Sequence, residues 1–250
     1  MNPYIAELIG TTILILLGNG VVANVVLART KGHDAGWIVI TMGWGFAVFT
    51  AVLCVAQYSG AHINPAVSVA LAVAGKFSWG LVPGYVVAQL AGGILGGVLV
   101  YLVYRAHYAV TDDANSKLAT YCTAPEIRGA FDNFFSEAIG TFVLVFAVLL
   151  MVDTTVPVDL SEKAESLKVG LGALGALPVG LVVLTIGLCL GGTTGYAINP
   201  ARDLGPRIAH AILPIPDKRD SDWSYAWIPV VGPIAGGVIA ALAFQAISTM

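Results

Sequence analysis

Gly60-Ala61-His62-Ile63-Asn64-Pro65-Ala66 and Gly195-Tyr196-Ala197-Ile198-Asn199-Pro200-Ala201 are two copies of one pattern, and their pairing decides the fold. Each opens a short apolar segment, residues 65–75 and 200–213. Helices of these lengths reach about 16–21 Å, well short of the roughly 30 Å hydrocarbon layer of a membrane. Proline suits the first helical turn, where its missing N–H is not needed, and asparagine is a favoured cap just before it. Either copy alone is an ordinary helix start; two at matching places are a design.

Around these half-length segments lie six longer apolar runs, near residues 4–28, 36–58, 79–105, 131–152, 167–190 and 225–247. Runs of about 20 residues cross a membrane as helices. Polar segments separate them at 29–35, 107–130, 153–166 and 217–224. The repeat extends outward from the two motifs. Ala6-Glu7-Leu8-Ile9-Gly10-Thr11 parallels Ser136-Glu137-Ala138-Ile139-Gly140-Thr141, and Leu90-Ala91-Gly92-Gly93 parallels Ile234-Ala235-Gly236-Gly237. The expected organisation is one channel domain, 1–250, with repeat one at 1–106, a connecting loop at 107–130 and repeat two at 131–250. Each half holds three long runs, an odd number, so the second half runs inverted. Broken helices at matching points of an inverted repeat mark a solute path at the repeat interface. The expected fold class is all-α: six transmembrane helices plus two re-entrant half-helices.

Composition agrees. The 250 residues are 57% hydrophobic and 11% charged, with mean hydropathy +0.84, whereas soluble domains carry about a quarter charged residues. A net charge of −3 without a basic run implies no nucleic-acid partner. Met1-Asn2-Pro3 lacks a basic leader, so the first run is expected to be a retained span. The 29 glycines suit closely packed membrane helices. Cys54, Cys122 and Cys189 form no CxxC pair and read as two buried small hydrophobes and one loop thiol. His33, His107 and His210 lie in or near loops without metal-ligand spacing, so no metal and no cofactor is expected.

The chemistry follows from the helix ends. If the short helices enter from opposite faces, their positive N-terminal ends meet near the midplane and disfavour a proton or cation there. An uncharged molecule with hydroxyl oxygens finds amide hydrogens from Asn64 and Asn199 instead. Arg202, three residues beyond Asn199, is a fixed cation inside a span and reads as facing water or a partner; the structural alternative pairs it with Asp203. Glu7 and Glu137 are symmetrically placed, which argues for bracing the loops ahead of each motif rather than for a proton relay. Gln89 reads as an interhelical contact.

The stretches Ser59–Val67 and Gly195–Asp203 resemble the aquaporin superfamily, as do the paired Glu7 and Glu137, and the resemblance spans nearly the whole chain. It implies a multi-pass cell-membrane channel with cytoplasmic termini, assembled as a homotetramer in lipid with one pore per subunit. Of the 12 Lys and Arg, eight fall on the side away from the termini, so a positive-inside count points the opposite way; the motifs are the more specific guide. The resemblance also implies a narrow filter of Arg202, Trp44 (20 residues before Asn64), Gly187 (12 before Asn199) and Tyr196 (three before it), with His62 lining the pore. Water-selective members carry histidine where this chain has Gly187. Glycine leaves room for a carbon backbone, which implies the glycerol-facilitator branch, as do Asp203, Arg207 and Pro229. That branch often has phenylalanine where this chain has Tyr196, and the added hydroxyl would narrow the filter or take part in it.

The expected function is passive passage of glycerol, water and other small uncharged solutes, with protons and ions excluded. The alternatives are a mainly water-conducting pore, or one preferring dihydroxyacetone, urea or protonated lactic acid. A coupled carrier is disfavoured because no acidic residue lies between Asn64 and Gly75 or between Ile186 and Arg202. An enzyme is not expected, since no catalytic triad, metal cluster or phosphate loop is visible. The compact chain reads as bacterial.

Overall fold

The computed structural model describes residues 1–152, 155–160, 163–168 and 172–248. Nine α-helices carry the fold among the described residues: α1 (Pro3–Val26), α2 (Trp37–Ser59), α3 (Pro65–Val73), α4 (Val82–Ala109), α5 (Ala114–Ala119), α6 (Ala130–Leu150), α7 (Leu177–Leu190), α8 (Pro200–Ile212) and α9 (Ile228–Ser248). Five helical stretches are long and apolar enough to span a membrane: α1, α2, Trp79–Ala109, α6 and α9. Helices α3 and α8 are the expected half-helices, each with proline in its first turn and an asparagine cap.

Three expectations change. The fifth run, 167–190, is helical only from a 3-10 turn at Gly172–Ala176 onward, and α7 proper has 14 residues. Gly172 sits at φ +54°, and Pro178 lies in the first turn of α7, so the sequence favours starting a helix there. Upstream, the polar segment 153–166 contains a hairpin, strands β1 (Thr155–Leu160) and β2 (Lys163–Lys168), paired antiparallel from Thr155↔Lys168 to Leu160↔Lys163. Residues 153, 154, 161, 162 and 169–171 of those two segments lie outside the described residues. The connecting loop contains α5, capped by Asp113, whose carboxylate accepts from the Asn115 and Ser116 N–H groups at 3.0 Å each.

The cysteines reverse their expected places. Cys122 in the loop is buried, whereas Cys54 and Cys189 are exposed on α2 and α7. In a membrane chain both faces of a span are apolar, so hydropathy does not say which face looks inward. The outward faces carry Phe46, Val87, Leu102, Phe131, Ile239 and Leu242, while Glu7, Asn19, Gln89, Glu137 and Asp203 are buried within the bundle.

Packing repeats between the halves. Helix α1 lies against α2 and α4, and α6 lies against α7 and α9, while α2 meets α7 across the halves. The α2–α7 pair is antiparallel: a Cβ placed at Gly187 would lie 2.9 Å from Thr41 Cγ2, and one at Gly180 would lie 3.0 Å from Phe49 Cβ. The two glycine pairs do equivalent work. A Cβ at Gly92 would sit 2.4 Å from the Leu8 carbonyl oxygen and one at Gly236 only 2.0 Å from that of Ala138, so any larger residue would push these helices apart. Their neighbours face the half-helices of the opposite repeat, Gly93 against the Ala201 carbonyl and Gly237 against that of Ala66 (2.6 and 3.1 Å for the same hypothetical Cβ). Each half-helix N-terminus is thus seated by the other half of the chain.

Candidate functional site

The loops ahead of α3 and α8 are strained in the same way. Ala61 and Ile63 have φ +50° and +42°, and Tyr196 and Ile198 have +39° and +44°. Such left-handed conformations cost a bulky or β-branched residue on the order of 1–3 kcal/mol each and persist only where the surroundings over-determine them. The surroundings are Glu7 and Glu137. Glu7 accepts from the His62 N–H (2.9 Å), the Ile63 N–H (2.6 Å), the Ser59 hydroxyl (2.6 Å) and the Gln89 amide (2.8 Å). Glu137 accepts from the Ala197 N–H (3.0 Å), the Ile198 N–H (2.8 Å) and the Thr194 hydroxyl (2.6 Å). These bonds satisfy backbone groups that could find no water at this depth. Gln89 also donates to Ser68 (3.1 Å), which in turn meets His62 Nδ1 at 3.0 Å. Ser59, Ser68 and Thr194 carry no sequence signal of their own beyond their distance from the motifs.

The two caps meet. Asn64 Oδ1 accepts from the Ala66 N–H (2.9 Å), and Asn199 Oδ1 accepts from those of Ala201 (3.0 Å) and Arg202 (3.2 Å). Each side-chain amide then donates to the opposite loop, Asn64 to the Ile198 carbonyl and Asn199 to that of Ile63, both at 2.8 Å. An amide carries two hydrogens, so each asparagine holds its orientation with one and has a second without an acceptor among the described residues.

A cavity of about 130 Å³ runs past these caps, and both asparagines line it. Helix α2 supplies Trp44, Val48 and Val52, one residue per turn, so the cavity extends along roughly 12 Å of that helix. Leu14, Leu144, Val148, Val179 and Val183 complete an apolar wall, and the strained loops 60–63 and 196–198 form the polar one, with His62 among them. At the Trp44 end the Arg202 guanidinium lies 4.1 Å from the Trp44 ring centroid. Arg202 Nη1 and Trp44 Nε1 are buried donors without a partner among the described residues. A Cβ at Gly18 would lie 2.3–2.5 Å from the Trp44 ring, so this glycine seats the indole against α1.

Asp203 is not the partner of Arg202. Its carboxylate takes Arg207 (Nε to Oδ1 at 2.7 Å, Nη2 to Oδ2 at 3.0 Å) and the Thr123 N–H and hydroxyl (2.7 and 2.8 Å). Arg207 donates further to the carbonyls of Ser221, Asp222 and Thr123 at 2.7, 3.0 and 3.0 Å. This fully buried pair ties the connecting loop and the loop before α9 to the back of α8, leaving Arg202 free to face the cavity. At the rim, Arg128 meets Asp222; burial pushes that carboxyl up, and the Arg128 bond outweighs it, holding Asp222 below the usual range. His107 sits in the last turn of α4, and His210 is buried in α8 beside the Ser221 hydroxyl (2.9 Å).

The structure brings Trp44, Tyr196, Arg202, His62 and both asparagines to one cavity; Gly187 is not among the lining residues. A Cβ at Gly187 would fall 2.7 Å from Tyr196 Cζ and 2.9 Å from its hydroxyl. The space that this glycine leaves is filled by the tyrosine ring.

The family model described as "Major intrinsic protein" matches residues 1–244. The chain is 54% identical over 241 residues to the "Probable glycerol uptake facilitator protein" of Thermotoga maritima, covering 96% of this chain and 97% of that protein. It is 52% identical over 241 residues to "Glycerol uptake facilitator protein 3" of Lactiplantibacillus plantarum, covering 96% and 95%. The X-ray structure of the aquaglyceroporin from Plasmodium falciparum superposes with a TM-score of 0.82 at 34% identity, covering 98% of this chain and 96% of that one.

Proposed function

This chain belongs to the major intrinsic protein family, and on that premise we propose that it is a passive transmembrane channel for glycerol, water and other small uncharged solutes. The observation that carries this reading is the meeting of Asn64 and Asn199 inside one cavity. Each is pinned by a bond to the opposite loop, at the positive ends of two half-helices. A cation there meets an unfavourable field from both helices, whereas a hydroxyl oxygen meets two oriented amide donors. Protons and ions are excluded on the same ground. No step of this passage requires bond chemistry, and the protein acts as a channel rather than an enzyme.

The filter is Arg202, Trp44 and Tyr196, with Gly187 behind the tyrosine. Arg202 offers hydroxyl-binding donors on one side, and the two aromatic faces offer a carbon backbone an apolar surface on the other. Such an amphipathic opening suits a polyol. His62 lines the path further in, and Glu7 and Glu137 hold the loops in place. The two repeats, 1–106 and 131–250, act as one pore-forming unit. We place the protein in a bacterial cell membrane with both termini cytoplasmic, as a homotetramer bounded by lipid. The bacterial relatives support the membrane, and the aquaporin resemblance supports the topology and assembly.

The test is light scattering of proteoliposomes given a glycerol gradient and then an impermeant osmolyte. Fast re-swelling in glycerol above protein-free vesicles is expected. Fast water loss without glycerol entry would make the protein a water channel, and the absence of both would overturn the reading.

A further inference from the structure

Trp37, the first residue of α2, contributes nothing to the cavity wall, yet it touches what does. Its Nε1–H donates to the Gly187 carbonyl at 3.0 Å. Its ring meets that of Tyr196 edge to face, with centroids 5.8 Å apart at 80°. Gly191, four residues beyond Gly187 at the C-cap of α7, closes the same pocket: a Cβ there would lie 2.5 Å from Tyr196 Cδ1 and 2.9 Å from Trp37 Cζ2. Thr41 closes the floor, since a Cβ at Gly187 would lie 2.9 Å from its methyl group. Tyr196 therefore sits in a socket of two glycines, one on α7 and one at its C-cap, and two α2 side chains, and only part of its ring faces the cavity. Trp37 is 40% exposed on its far side and the bond is part-buried, and an edge-to-face aromatic pair with a side chain–carbonyl bond fixes geometry as well as adding energy.

We propose that Trp37 is a positioning residue for solute selectivity, setting the width of the filter through the ring of Tyr196 from outside the cavity. The inference rests on the channel reading above. With Trp37 in place, the ring cannot swing back toward the start of α2, because the indole occupies that volume. Without it, the ring gains room on that side and the opening widens for a bulkier polyol more than for glycerol.

The experiment measures fluxes of glycerol and of a five-carbon polyol in proteoliposomes of matched protein content. The proteins are the wild type, Trp37→Leu, Trp37→Phe, Tyr196→Ala and the double variant Trp37→Leu/Tyr196→Ala. Trp37→Leu should raise the ratio of the larger polyol to glycerol by about threefold, the scale of one lost aromatic contact. Trp37→Phe keeps an aromatic edge against Tyr196 and should fall between, which preserves the test if the leucine variant does not fold. In the Tyr196→Ala background, Trp37→Leu should leave the ratio unchanged, because the ring through which it acts is gone. An equal effect in both backgrounds would mean that Trp37 meets solute directly, and a wild-type ratio in Trp37→Leu and Trp37→Phe would remove any role; either overturns the proposal. A wild type that passes no glycerol at all defeats the channel reading itself, an outcome visible before any variant is compared.

Discussion

The two ends of the cavity are built from equivalent positions and filled with opposite chemistry. Aligning Asn64 with Asn199 sets an offset of 135 residues, under which Trp44 matches Val179, Val52 matches Gly187, Ala61 matches Tyr196 and Val67 matches Arg202. Val179, Val52, Ala61 and Val67 all line the cavity, so at these four positions the second end is apolar, and its polar side chain is His62, where the first end has Ala197. Behind the half-helices the contrast continues, with Ser68 in the place of Asp203 at the same offset and, when Gly92-Gly93 is aligned with Gly236-Gly237, Pro233 in the place of Gln89. What the halves share is scaffold: caps, strained loops, bracing carboxylates and paired glycines. Where they differ, one end gains a cation and two aromatic faces. Repetition makes the path, and the proposed selectivity rests on departure from repetition.

The strongest way to break this comparison is to remove the hub that exists on one side only. Asp203→Ala strands the buried Arg207 guanidinium without its carboxylate, which should cost about 3–5 kcal/mol. Ser68→Ala, at the matching position, loses contacts to His62 and Gln89 and should cost about 1 kcal/mol. Thermal unfolding in detergent, followed by tryptophan fluorescence, measures both. Equal losses would show that the charged hub does no more than its serine counterpart.

The shared scaffold makes the reverse prediction. Glu7→Ala and Glu137→Ala each free two buried backbone N–H groups and should cost roughly 2–4 kcal/mol by the same assay. The glutamine variants keep one accepting oxygen and should lose less. A loss at one site several times that at the other would mean that the loops are not braced alike, whatever their matching torsions.

Selectivity is tested by making the ends the same. Arg202→Val installs the residue of the opposite end and removes donors worth about one charge-assisted hydrogen bond to solute. Discrimination between glycerol and an apolar solute of similar size should fall about tenfold, read as a flux ratio in proteoliposomes. An unchanged ratio would place the filter elsewhere along the path.

Much of this was legible in the sequence because it rests on local chemistry. An asparagine followed by a proline at the head of a short segment reads as a capped helix start, and a repeat in an odd number of spans must invert. The pairing of Glu7 with Glu137 is visible as a symmetry of the sequence. What stayed hidden depends on which surfaces meet. Outward and inward faces of a span are equally apolar, so Cys54 and Cys189 read as buried and are not. The start of α7 was hidden because the run 167–190 begins at Leu167, near the end of strand β2, well upstream of the helix. Gln89 showed its place between helices but not its bond to Glu7. Gly187 was readable as an absence of side chain, but whether that absence opens the cavity or admits a ring depends on Tyr196.

That last ambiguity yields the smallest prediction. The added hydroxyl of Tyr196, set against the phenylalanine common in the glycerol branch, was expected to narrow the filter or take part in it. In the structure the hydroxyl oxygen is buried and has no hydrogen-bond partner among the described residues. It lies 2.9 Å from where a Cβ of Gly187 would be, on the α7 side of the ring. A group so placed is turned to α7 and away from the cavity. Tyr196→Phe should therefore change glycerol and water fluxes by less than about twofold, while relieving a buried unpaired hydroxyl and leaving stability equal or slightly higher. The glycine beneath it should be far less tolerant, because even the methyl of Gly187→Ala must move the ring rather than enter open space. A Tyr196→Phe variant that lost glycerol flux while keeping water flux would show that the hydroxyl reaches the solute, and the tyrosine would then belong to the polar wall of the filter instead of its apolar one.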